Sequence, residues 1–95
     1  MSLIDEIKPV LRITASDFNG EIQGLIDAAK VDLRISGINN IDETDALIKR
    51  AIILYCKANF GYDNPDSDKF QKSYDMLKNH LALSSEYAVV DDNAT

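Results

Sequence analysis

Cysteine is almost missing from this 95-residue chain: Cys56 stands alone, which rules out an internal disulfide framework and a multi-thiolate zinc site built from one copy. A reducing compartment is expected. Histidine is as scarce, and with no thiol or second imidazole near His80, a transition-metal site would have to be assembled from carboxylates. The simpler role for His80 is a solvated side chain in the last turn of a helix, facing the negative end of the dipole. No stretch approaches the roughly 20 apolar residues of a membrane span, and no basic region followed by a long apolar run opens the chain, so neither export nor membrane insertion is expected. Glycine-rich phosphate loops, nucleophile elbows and paired carboxylates at catalytic spacing are missing too. The chain is expected to have no enzymatic activity, no metal and no cofactor.

Bases also run short. Lys and Arg number 10 against 16 Asp and Glu, and beyond Lys78 come Glu86, Asp91 and Asp92 with no Lys or Arg, so that final stretch carries half of the net charge of −6. Proteins that grip DNA need clustered cations, because counterion release supplies most non-specific affinity. The acidic balance argues against a DNA grip, yet a surface that repels phosphate can line a passage without adhering to the polymer.

A hydrophobic share of 45% is enough for one core, although a domain of this length leaves about a third of its unfolded surface exposed and often leans on partners. Helical periodicity dominates. Phe18, Ile22, Leu25, Ile26, Ala29 and Leu33 make one stripe over residues 17–35, with Thr14 or Ser16 placed to cap its start and Gly37 to close its end. A second helix is predicted after Asp42 or Thr44 and up to Gly61. Its residues Leu47, Ile48, Ala51, Ile52, Leu54, Tyr55 and Ala58 are apolar round most of the circumference, which marks it as the central helix. Pro65 suits the first turn of a third, in which Phe70, Tyr74, Leu77 and Leu81 form a narrower stripe ending near residue 83. Ahead of these, Ile4, Ile7 and Leu11 have helical spacing, but Pro9 removes a donor and crowds Asp5, so a short or kinked helix is expected. Residues 84–95 lack periodicity and read as an acidic, mobile tail. The fold class is therefore all-α, a small bundle of about four helices over residues 1–83 followed by that tail.

Among side chains with possible chemistry, Cys56 lies beside Tyr55 in the central helix and reads as a small buried hydrophobe. Asp63, Asp66 and Asp68 invite comparison with a calcium loop, but the required turn glycine and terminal Glu are missing, and Lys69, Phe70 and Gln71 follow. Asp66 and Asp68, like Asp42, Glu43 and Asp45, are explained by a helix N-terminus. Helix-turn-helix DNA binding would need an exposed recognition helix, whereas the central helix demands burial.

Several segments in a fixed order resemble the small head-tail connector, or DNA-packaging, proteins of tailed bacteriophages and prophages. They are Leu11-Arg12-Ile13-Thr14, Leu25-Ile26-Asp27-Ala28-Ala29-Lys30 with Ser36-Gly37-Ile38, and Leu47-Ile48-Lys49-Arg50-Ala51-Ile52-Ile53-Leu54-Tyr55. Ala58-Asn59-Phe60-Gly61, Asn64-Pro65 and Ser73-Tyr74-Asp75-Met76-Leu77-Lys78 complete the set. The resemblance implies a structural adaptor that forms a ring beneath the portal protein, extends the channel for passing DNA without binding its sequence, and receives a tail-side completion protein. The virion neck, and the host cytoplasm during assembly, are the implied locations. The alternative from another class is a small helical interaction or regulatory module of phage or bacterial origin.

If copies associate, two faces offer themselves. Lys49, Ile53, Lys57 and Phe60 follow one another along the central helix, combining bases with apolar groups. On the preceding helix Gly24, Ala28, Val31 and Ile35 form a small-residue stripe away from the core stripe, with Glu21 and Asp32 (and Asp17) beside it. Different but complementary faces give head-to-tail contacts that can close into rings. Equally, Ile53 and Phe60 can be covered by the first or last helix of the same chain. In the tail, Tyr87, Val89 and Val90 are candidate anchors for a partner.

Overall fold

The computed structural model describes residues 2–61 and 64–88, which form four α-helices: α1 (Leu3–Val10), α2 (Asn19–Ile35), α3 (Ala46–Asn59) and α4 (Ser67–Leu83). Pro9 falls in the last turn of α1, where it cannot donate to the carbonyl of Asp5, and the helix stops one residue later. Arg12 then turns the chain with a φ of 61°, its amide donating to the Pro9 carbonyl at 3.0 Å while Ile13 donates to Lys8 at 2.9 Å. The same pair of bonds ends α2: Gly37, at a φ of 98°, donates to Arg34, and Ile38 donates to Leu33. This is a Schellman closure, and its customary apolar contact is met because Leu33 and Ile38 are both fully buried.

The helix starts differ more from expectation. Neither Thr14 nor Ser16 caps α2, because a single 3-10 turn at Ser16–Phe18 leads into it and tightens the first amides onto nearer carbonyls. Asp45, rather than Asp42 or Thr44, caps α3 by accepting from the amides of Leu47 and Ile48, each at 3.1 Å. Asp42 instead accepts from the hydroxyl and amide of Thr44, and those bonds lower its carboxyl below the ordinary value. Pro65 lies just ahead of α4, not within its first turn. The turn is held by Asn64, whose side chain donates to the Lys57 carbonyl at 2.8 Å, and by the Ser67 hydroxyl on Ala58. Two carbonyls left open by the end of α3 are thereby satisfied.

Apolar groups all round α3 place it at the centre, with α1, α2 and α4 packed on it. Its Ile48, Ala51, Ile52, Leu54 and Cys56 are buried together with Leu3 and Ile7 of α1, four residues of α2, and Tyr74 and Leu81 of α4. Phe18, expected on the inner stripe of α2, is 44% exposed, since the 3-10 turn rotates it out of register to meet the edge of Phe60 at 5.7 Å between ring centres.

Candidate functional site

The basic and apolar face of α3 is largely occupied by the chain itself. Lys49 donates to Glu6 of α1 at 3.0 Å, and Ile53 packs against the core. The Lys57 ammonium lies 4.4 Å from the centre of the Phe70 ring of α4, and Phe60 meets Phe18. Neighbouring helices of the same chain thus engage this face. A Lys49→Glu substitution would set two carboxylates side by side and disturb the monomer.

On α2 the candidate residues divide. Glu21, Gly24, Ala28, Val31 and Ile35 are exposed, Ile35 by 78%. Asp32 is not free: its carboxylate accepts from the Tyr74 hydroxyl at 2.6 Å and from Lys78 at 3.1 Å, tying α2 to α4. Partial burial pushes the Asp32 carboxyl upward, but the bonds from Tyr74 and Lys78 outweigh it and leave the group below its ordinary value. Burial first, and then the neighbouring carboxylate, raise the Tyr74 phenol. Burial alone pushes the Cys56 thiol up to about 12. Both groups hold their protons more tightly folded than unfolded, so the stability they contribute is complete below their ordinary values of 9.0 and 10.0 and is lost as pH rises through and beyond them. The melting temperature is expected to fall steadily between pH 9 and pH 11, as scanning calorimetry would show, and a flat profile would mean that neither group is buried.

The segment after α4 also differs from a mobile tail as far as it is described. The Tyr87 hydroxyl donates to the Asp45 carboxylate at 3.1 Å, its carbonyl accepts from the Asn39 amide at 2.7 Å, and Ala88 makes an isolated antiparallel bridge with Ile38. Burial and the Asp45 carboxylate raise the Tyr87 phenol. Tyr87 therefore anchors the segment to the chain's own α2–α3 loop. Val89 and Val90 lie outside the described residues.

One groove was not legible in the sequence. It lies where the ends of α1 and α3 meet the start of α4, encloses about 300 Å³, and is lined by Val10, Leu11, Arg12, Lys57, Phe60, Gly61, Asn64, Pro65 and Phe70. The turn after α1 and the connection between α3 and α4 supply it, and only Pro9, three residues before Arg12, hinted that the chain would turn there. Among the described residues no three of His, Cys, Asp and Glu are grouped as metal ligands, and no helix is long and apolar enough to cross a membrane.

Set against known protein families, the chain matches the model described as phage connector protein over residues 3–88. No curated protein and no solved structure matches it.

Proposed function

The chain belongs to the phage connector protein family, and from that premise we propose that it is the adaptor that forms a ring beneath the portal, extends the DNA channel and joins head to tail. The observation that carries this reading is the family match across nearly the whole bundle, from Leu3 to Ala88. Two features support it. The net charge of −6 suits a wall past which DNA slides, since phosphates repelled by a surface do not stick to it. Val31, Ile35, Met76 and Leu83 leave large apolar groups on the outer faces of α2 and α4, available to a neighbouring copy, the portal or a tail-side completion protein. The role is structural, with no catalytic step, in the virion neck after assembly in the host cytoplasm.

Co-expression with the portal protein encoded nearby provides the test. The chain is expected to co-purify with the portal and to appear in electron micrographs as an added ring on its tail side. Portal particles that never retain the chain would overturn the proposal.

A further inference from the structure

The groove at the end of α1 has the chemistry of a receptor for an acidic, apolar segment. Val10, Phe60, Pro65 and Phe70 give it apolar walls, Arg12 and Lys57 bring two cations, and no acid is among its described lining residues. Arg12 is held at a φ of 61°, the left-handed conformation that glycine fills after α2 and α3, at Gly37 and Gly61. An arginine standing where glycine is favoured, with its side chain exposed on a groove, points to a use for that side chain.

The same chain carries a matching segment. Beyond Ala88 come Val89 and Val90, then Asp91 and Asp92, so two apolar residues precede two carboxylates. Their starting point is fixed by Tyr87 on Asp45 and by Ala88 beside Ile38, at the end of the bundle where α3 begins. From Asp45 to Phe60 the helix rises about 22 Å. An extended chain carries Val90 only about 7 Å beyond Ala88. The valines fall short of their own groove, so valines seated there have to come from another molecule.

We infer that the groove between Arg12, Lys57, Phe60 and Phe70 receives residues 89–95 of a neighbouring copy, the valines packing on the aromatic rings and the aspartates pairing with the two cations. Donor and receptor lie at opposite ends of α3, so the contact is head-to-tail, the kind that propagates from copy to copy and closes into a ring. The inference rests on the ring reading for its setting. Asp32, one of the acids beside the α2 stripe, is already bound to Tyr74 and Lys78, whereas the tail brings two aspartates of its own.

Two measurements test it. A synthetic peptide of residues 86–95 titrated into the full chain should shift the amide resonances of Arg12, Phe60 and Phe70, and Arg12→Glu with Lys57→Glu should weaken its binding about tenfold, the loss expected for two modest ion pairs. Shifts confined to other residues, or equal binding by the variant, would overturn the docking site whether or not the portal reading holds. In portal particles, either that groove pair or Asp91→Lys with Asp92→Lys should reduce incorporation, and the four changes together should restore it. Loss without restoration would assign tail and groove to different partners and sink the inference, whereas wild-type chain missing from the particles would instead sink the ring. Arg12→Gly separates a structural from a binding role. It should raise the melting temperature by about 4 °C through relief of the left-handed turn, while lowering incorporation. A variant that is more stable and incorporated at the wild-type level would show that the Arg12 side chain has no part in docking.

Discussion

Ile52→Asp is expected to leave no folded protein. Ile52 is fully buried in α3, and α1, α2 and α4 all pack on that helix, so the new carboxylate has no route to water. Losing the isoleucine side chain from the core costs about 2 to 3 kcal/mol. Burying an unpaired carboxylate adds several kcal/mol more, or an equivalent cost in holding it protonated. A domain of this length has a total stability of only about 5 to 14 kcal/mol, so the combined loss is comparable with what is available. Ile52→Val, which removes one methylene, should cost only about 1 kcal/mol and serves as the control. Far-ultraviolet circular dichroism should show collapse of the helical signal for the first and a small drop in melting temperature for the second. A cooperative, near-wild-type transition in Ile52→Asp would mean that α3 is not the centre of the bundle.

Tyr74→Ala should be the next most damaging change, at about 3 to 5 kcal/mol, because it empties a fully buried ring site. The ring also meets the edge of Tyr55, with centroids 5.2 Å apart, and that contact goes with it. Tyr74→Phe keeps the packing and removes only the phenol that donates to Asp32 at 2.6 Å. Because Asp32 keeps Lys78 and some access to water, the loss should be nearer 1 kcal/mol. Urea melts of the two variants would separate packing from hydrogen bonding, and equal losses would mean that the ring contributes nothing beyond its hydroxyl. The phenylalanine variant carries a second signature. Asp32 is held below its ordinary 3.8, so its contribution to stability is complete above that value and disappears as pH falls toward the folded-state value. Without the phenol the carboxyl should titrate higher, and the acid limb of the stability profile should become shallower.

The bundle itself was legible before any tertiary contact was known. The apolar positions of α2 and α4 recur at helical spacing, α3 is apolar on nearly every side, and Gly37 and Gly61 mark two of the three helix ends that turn through a positive φ, the third being at Arg12. Helix starts were less legible. Several capping residues stand close together before α2 and α3, and sequence offers no way to see that a 3-10 turn displaces Thr14 and Ser16 or that Asp42 is consumed by Thr44. The intrachain cover of the candidate α3 face was hidden for a related reason. The helical wheel shows that Lys49, Ile53, Lys57 and Phe60 share a face, but not that Glu6, Phe18 and Phe70 already meet it.

What the sequence determined by itself is local: the number of helices, the central place of α3, the acidic balance, and the ordered segments that resemble connector proteins. Each depends on spacing or composition along the chain, and backbone geometry converts spacing directly into a helix face. The tertiary structure alone decided which faces remain free. Asp32 meets Tyr74 across 42 residues and Lys49 meets Glu6 across 43. Arg12, Lys57 and Phe70 line one groove only because the turn after α1 converges with the α3–α4 connection. Such pairings depend on how helices are rotated and offset against one another, which is fixed by how the whole core packs and not by the pattern within any one helix.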